Sequence, residues 1–285
     1  MWFILSILTA VFYAAQGAWI KKTTKEVDRF TTTWAMFSFA IPVLIIPLLI
    51  TGIPDIGPKF FWAAPGTLVL NMVAFTLFVT ALKVSPLSLT YPFLALTPIF
   101  LIGTGYLFLG ELPDLSGLAG IILITAGAYL INFKEISRGI LAPIKEIKNE
   151  KGSLLMLIVA FIWSFAGAMD KVAVEASSPF FFNVAFNTGF LILYLPFLKY
   201  KTPEFTKEIK EHKGKLFVLG LFGALMVICQ MVALRLTLVS YVIAIKRSGM
   251  LITLIIGKLF FDEKITTFNI GGTVLMCLGL ILIGI

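Results

Sequence analysis

The sequence predicts an all-α membrane protein of ten transmembrane helices arranged as two inverted five-helix repeats, and three observations carry that prediction. The first is composition: 59% of residues are hydrophobic and 13% charged, with a mean hydropathy of +1.00, whereas soluble globular domains are about 45–50% apolar and about 25% charged. The second is that apolar residues gather in ten runs, at 2–20, 31–52, 61–82, 87–109, 115–133, 152–173, 179–198, 215–235, 238–260 and 266–285. Each is long enough to cross a hydrocarbon core of about 30 Å as a helix. The third is an internal repeat. Pro98 to Ile131 aligns without a gap on Met250 to Ile283, pairing Gly105 with Gly257, Leu107 with Leu259, Phe108 with Phe260, Glu111 with Glu263, Gly120 with Gly272 and Gly127 with Gly279. Upstream, Gly17-Ala18 and Lys21 echo Gly167-Ala168 and Lys171, and Lys83 echoes Arg235. Five spans per half is an odd number, so the second copy enters the membrane from the opposite side and the repeats are inverted. The halves are read as 1–133 and 152–285, joined by a basic linker at 134–151.

Taken in order, the first run starts at Met1 without a basic leader or a small-x-small cleavage site, and so reads as a span, not a removable signal. The fourth run contains Pro92 and Pro98, each of which removes a helix hydrogen bond and clashes with the preceding turn. Carbonyls freed at membrane depth are tolerated where they are buried in protein or face a water-filled cavity. With Thr90, Tyr91 and Thr97 alongside, this is a polar, broken segment expected to line a cavity, the alternative being a kink without function. In the fifth and tenth runs the stripes Ser116/Gly120/Gly127 and Gly272/Gly279 let helices approach closely, which marks these spans as scaffold; Gly103, Gly105 and Gly257 are expected to pack similarly in the fourth and ninth. Within the linker, Ile136, Ile140, Ile144 and Ile147 recur at helical spacing, as in a helix lying on the membrane surface or an ordinary connection. No alternation typical of a membrane barrel is found.

The net charge of +8 is concentrated in three loops: Lys21, Lys22, Lys25 and Arg29; Lys134, Arg138, Lys145, Lys148 and Lys151; and Lys199, Lys201, Lys207, Lys210, Lys213 and Lys215. Ten spans place all three on one face, and a basic excess marks the cytoplasmic side, which puts both termini outside. Interspersed Asp and Glu argue against nucleic acid as a partner. His212 stands alone in the last of these loops, and Cys229 and Cys277 fall inside spans, so no disulfide framework or metal-ligand spacing is present. No cofactor is expected; the partners are a small-molecule substrate and the bilayer, and the chain is expected to act as a monomer.

The sharpest chemical signal is Lys246-Arg247 in the ninth run. It lies about eight residues in, roughly 12 Å at 1.5 Å per residue, where each cation costs about 2.5–3.5 kcal/mol on insertion scales. A compact ammonium beside a planar guanidinium fork suits a carboxylate or phosphate, so the pair is expected to bind an anionic ligand. The alternative is a structural ion pair, for which Asp170 is the credible internal acid, serving as a charge or proton partner; Glu175, Glu111, Asp262 and Glu263 lie nearer helix ends. The aligned positions in the first half are Leu94 and Ala95, so one repeat supplies charge and the other a proline break. Tyr91, Thr97, Tyr241 and Asn187 are the expected polar contacts, with Gln16, Asn71, Asn183, Gln230 and Ser240 as further candidates. Asn183 and Asn187 share a helix face by i,i+4 spacing, though intramembrane amides also hold helices together.

Ten spans in two five-helix repeats, the run Ala160-Phe-Ile-Trp163-Ser164 and the repeated Gly-x-Leu-Phe-x-x-Glu at 105–111 and 257–263 together resemble EamA-type members of the drug/metabolite transporter superfamily. The resemblance covers nearly the whole chain, departing slightly at Tyr13-Ala14. It implies a metabolite carrier without specifying the cargo, since members carry amino acids, nucleotide sugars, phosphorylated sugars and other metabolites. Lys246-Arg247 also looks like the adjacent Lys-Arg with which triose-phosphate translocators hold phosphate. Family members are usually drawn with cytoplasmic termini, the reverse of what the loop charges predict here. The expected function is a secondary transporter that moves a small polar, anionic or zwitterionic metabolite across the cytoplasmic membrane by alternating access. The sequence has no P-loop, so an ion or counter-substrate gradient must drive it. The alternative is a membrane-embedded enzyme or a pore, and an enzyme would need converging acid, base or nucleophile groups that the sequence does not offer.

Overall fold

The computed structural model describes residues 1–85, 91–131, 151–252, 254–255 and 266–285, with Lys21, Val79, Leu82, Lys83, Tyr91 and Pro92 as backbone only. The basic linker up to residue 150 with its isoleucines, Thr90, Gly257, Asp262 and Glu263 lie outside the described residues. The described residues form helices: α1 (Trp2–Thr23), α2 (Arg29–Ser38), α3 (Ile41–Thr51), α4 (Phe60–Val84), a 3-10 segment (Tyr91–Leu96), α5 (Thr97–Leu109), α6 (Leu115–Ile131), α7 (Lys151–Glu175), α8 (Pro179–Lys201), α9 (Phe205–Leu236), α10 (Val239–Arg247) and α11 (Thr267–Gly284). Among the described residues seven helical stretches are long and apolar enough to cross a membrane, and Phe93–Leu109 and Leu115–Ile131 are shorter apolar helices.

Local chemistry sets the helix ends. Asp28, Ser178 and Thr266 cap α2, α8 and α11 by accepting from the backbone N–H groups of Phe30, Phe181 and Asn269, the usual remedy for orphan donors at a helix start. Among the described residues three spans are interrupted. The second breaks at Phe39–Ala40 between α2 and α3, and Pro42 sits in the first turn of α3, where its ring would clash with the carbonyl one turn back in a continuous helix. The fourth is a 3-10 segment followed by α5, with Pro98 in the first turn. The ninth stops as α10 at Arg247, turns at Ser248, and resumes helical turns at 249–252.

Packing divides the chain into two compact units, residues 1–68 with 170–236, and residues 69–169 with 237–285. Each therefore draws helices from both sequence halves. In the first unit α1 packs along α9, and α2 and α3 pack on α8 and α9. The Trp19 indole donates to the Lys215 carbonyl at 2.8 Å, and Gly220 is where α9 meets the Phe39–Ala40 backbone, which a Cβ there would strike. Ring contacts run Phe30 to Phe197 and Phe37 to Phe190, so α2 and α8, the second spans of the two halves, are antiparallel.

In the second unit α6 and α11 form the most extensive helix pair. Their first residues, Leu115 and Thr267, are aligned in the repeat. A Cβ on Gly120 would meet the Gly279 carbonyl at 2.8 Å, and one on Gly127 the Gly272 carbonyl at 2.5 Å, with reciprocal approaches from Gly272 and Gly279. Early positions on one helix thus face late positions on the other. Equivalent helices that contact each other reciprocally and antiparallel are the local signature of inverted repeats related by a pseudo-two-fold axis. Ser116 is not part of this seam; it is exposed and donates to Asp114. Gly103 also does not pack as expected, since it faces open space, whereas Gly105 lies against Val239. A core of Ala74, Ala81, Phe93, Leu94, Met156, Val159 and Ala160 joins α4, the 3-10 segment and α7.

Candidate cation site at two helix breaks

The site is built by two interrupted spans of the second unit. In an unbroken α-helix the N–H of residue 98 would bond the carbonyl of residue 94, but Pro98 has no N–H. The Leu94 carbonyl is taken instead by the Thr97 hydroxyl, which donates to it at 2.7 Å. A hydroxyl has one proton and two lone pairs, so Thr97 Oγ1 is left as an acceptor. It accepts from Arg247 Nη2 at 3.0 Å. The proline break thus creates, through Thr97, an oriented oxygen for the guanidinium.

Arg247 is brought there because α10 is buried nearly all round, with Val239, Ser240, Val242, Ile243, Ala244, Ile245 and Arg247 all buried, as in a helix inside a protein. Arg247 is only 5% exposed, so its head group is held within the unit. Lys246 and Arg247 occupy the last turn of α10, where the negative end of the helix dipole favours cations by about 0.3–1 kcal/mol each, and up to about 2 kcal/mol when partly buried. At the α10 break the Ser248 hydroxyl donates to Ile245 O at 2.6 Å, the same three-residue backward bond that Thr97 makes to Leu94. The repeat aligns Leu96 with Ser248 and Thr97 with Gly249, so both spans break at matched positions.

Of the residues singled out from sequence, Arg247, Thr97 and Pro98 come together here. Lys246 is half-buried next to Arg247. Tyr241 lies at the other end of α10, about 9 Å along the axis, and its hydroxyl donates to Asp114 Oδ1 at 2.9 Å. The side chains of Tyr91 and Pro92 are outside the described residues. Asn187 belongs to the first unit, buried, with its amide donating to the Asn183 carbonyl one turn back, while Asn183 donates across to Val227 O on α9. Asp170 is also in the first unit and accepts from the Thr67 hydroxyl at 2.6 Å. Next to it Lys171, 4% exposed, has its ammonium 3.9 Å from Glu175.

Three residues, two of them in the second unit and Lys171 in the first, were not put forward as contacts by sequence reasoning. Glu111 Oε2 accepts from the backbone N–H of Val239 at 3.0 Å, Asp114 takes the Tyr241 hydroxyl, and Lys171 is a buried cation. Two carried a signal, since Glu111 and Lys171 each recur in the other half. Among the described residues no group of His, Cys, Asp and Glu could hold a metal ion. The chemistry gathered here is a buried guanidinium bonded to a threonine hydroxyl.

Comparison with known proteins agrees with this architecture. The model of the EamA-like transporter family matches twice, over residues 1–133 and 150–285. An uncharacterized transporter of Archaeoglobus fulgidus is 24% identical over 290 residues, covering 98% of this chain and 96% of that protein. A crystal structure of another protein superposes with a TM-score of 0.77 at 12% identity, covering 99% of this chain and 95% of that one; at that identity the likeness shows the fold alone.

Proposed function

The chain belongs to the EamA-like transporter family, and from that premise we propose that it is a secondary transporter of the cytoplasmic membrane that moves a small anionic or zwitterionic metabolite, with Arg247 and Lys246 holding the negative group. The observation that supports this reading is the pair of helix breaks at aligned positions of two inverted repeats, with the Arg247 guanidinium at one break bonded to Thr97 at the other. Interrupted helices at corresponding positions of the two halves are the best structural pointer to a transporter's binding site, and rocking about a fixed site gives alternating access. The guanidinium is a planar fork of five donors, the geometry that suits a carboxylate or phosphate. In this reading Asp170 is a candidate proton carrier that couples transport to a gradient.

The test is a thermal-stability screen of wild type, Lys246→Ala, Arg247→Ala and Asp170→Asn against amino acids, organic acids, sugar phosphates and nucleotide sugars. Losing a charged donor costs about 1.5–3 kcal/mol of binding, or roughly ten- to a hundredfold in affinity. Anionic compounds should stabilise wild type, and that shift should vanish in the Lys246 and Arg247 variants. Ligand shifts that persist unchanged in Arg247→Ala would refute the site. A loss of about 3–5 kcal/mol in folding stability from Arg247→Ala alone, partly recovered by Asp170→Asn, would identify a structural ion pair instead.

A further inference from the structure

The repeated motif Gly-x-Leu-Phe-x-x-Glu has no direct part in the cation site, yet its first copy converges on the helix that carries Arg247. Gly110, just past the end of α5, adopts φ +69° and its N–H closes on the carbonyls of Gly105 and Tyr106, while the Glu111 N–H reaches Gly105 O at 3.3 Å. This left-handed C-cap turns the chain back, so that Glu111 Oε2 accepts from the Val239 N–H, the first residue of α10, at 3.0 Å. Leu238, at the cap position of α10, has no side chain able to do this. Three residues further on, Asp114 accepts from both the Gly117 N–H at 2.8 Å and the Tyr241 hydroxyl at 2.9 Å. Two glycines make the fit possible. A Cβ on Gly105 would press on Val239 Cγ1 at 3.3 Å, and one on Gly117 would overlap the Tyr241 ring and hydroxyl.

Both ends of α10 are therefore tied to the α5 segment: Val239 to Glu111 after its end, and Arg247 to Thr97 at its start. Between Val239 and Arg247 the helix rises about 12 Å, while α5 from Thr97 to Leu109 rises about 18 Å. The long Glu111 and Arg247 side chains bridge the difference, and a stiff half-helix held at one end has its other end placed. We infer that Glu111 and Asp114 are positioning residues for the cation site: their carboxylates clamp the start of α10 and so set where the Arg247 guanidinium lies. This inference rests on the reading of Arg247 as the ligand-holding cation, but the clamp itself can be measured without a ligand.

The experiment uses the full chain in liposomes, with Cys229 and Cys277 replaced by alanine and a single reporter at Ser248→Cys, a position 5% exposed at the end of α10. The rate of alkylation by N-ethylmaleimide is followed, and a second reporter, Met276→Cys on α11, is followed in parallel. Removing a helix cap costs about 1 kcal/mol, up to about 2, so Glu111→Ala should speed labelling at residue 248 roughly five- to thirtyfold and leave residue 276 unchanged. Glu111→Gln, which keeps an acceptor oxygen, should restore most of the protection, and Asp114→Ala combined with Glu111→Ala should exceed either alone. Unchanged labelling at residue 248 in Glu111→Ala would overturn the clamp. Equal acceleration at residues 248 and 276 would also overturn it, because that outcome describes general loosening. Neither result bears on anion binding in the ligand screen, so the two readings fail separately.

Discussion

Replacing Gly127 by alanine tests the inverted-repeat packing most directly. The added Cβ would sit 2.5 Å from the Gly272 carbonyl oxygen, whereas a carbon rests at about 3.3 Å or more from such an oxygen. The α6–α11 crossing must therefore open by about 0.8 Å, and a gap of that size forfeits roughly a third of the dispersion well. Four side chains lie over the glycines of the seam: Ile283 over Gly120, Met276 over Gly127, Ile131 over Gly272 and Ile124 over Gly279. With about ten cross-seam atom contacts each at ~0.15 kcal/mol, a third of the total is ~2 kcal/mol, in line with the ~1–3 kcal/mol of overpacked cores. The assay is thermal unfolding in detergent at fixed scan rate, where such a loss corresponds to a drop of roughly 4–8 °C. Gly272→Ala should cost about the same. The double variant should cost clearly less than the sum, because both Cβ atoms force open one separation. Gly103→Ala is the control: no atom lies within 4 Å of its added Cβ, and alanine is the better helix former by about 1 kcal/mol, so its stability should hold or rise. If Gly127→Ala unfolds no earlier than Gly103→Ala, the seam does not pack as described. Strict additivity of the pair would refute the shared-separation argument.

Two further outcomes are expected. Backbone donation from Gly117, with the Tyr241 and Ser116 hydroxyls, holds the Asp114 carboxyl below its ordinary range; a carboxylate shifted this way stabilises the fold above its unfolded pKa of about 3.9 and loses that contribution as pH falls through the lower folded value. Thermal stability of wild type should therefore drop more steeply below about pH 4 than that of Asp114→Asn, and parallel acid limbs would refute the assignment. A single cysteine at Lys25 or Lys207, in the basic loops, should escape membrane-impermeant maleimide in intact cells if the basic loops are cytoplasmic, and external labelling of both would reverse that topology.

The membrane fold was legible because its cause is local and repeated. Apolar runs long enough to span a bilayer need no tertiary information, and an internal alignment that pairs Leu115 with Thr267 reappears as matched helix starts. The break at Thr97 was legible too, since Pro98 removes a specific donor. The break at Ser248 was not. Its stretch, Ile245-Lys246-Arg247-Ser248-Gly249-Met250, has no proline, and its Ser-Gly is a weaker signal, because an isolated glycine is tolerated inside a helical run. Asn187 shows the converse limit: a buried amide satisfied by its own helix at Asn183 and an amide facing a cavity look alike in sequence. Glu111 was visible as a repeated residue, but its partner Val239 lies far along the chain, and only folding brings donor and acceptor together.

The interleaving of the halves has a consequence for biogenesis. α1 packs on α9, α2 on α8, and α6 on α11, so helices made early wait for partners made late. At about 5–20 residues per second, α1 leaves the ribosome some ~10–40 seconds before its α9 partner exists. During that interval the first half must be stored in the bilayer or insertion machinery with its glycine seam and buried polar groups uncovered. The finished molecule is in this sense closer to a heterodimer of fused sisters than to two domains in series. Coexpressed as separate chains, residues 1–133 and 150–285 have every helix needed to assemble the same bundle, whereas either alone lacks the other side of its longest seams.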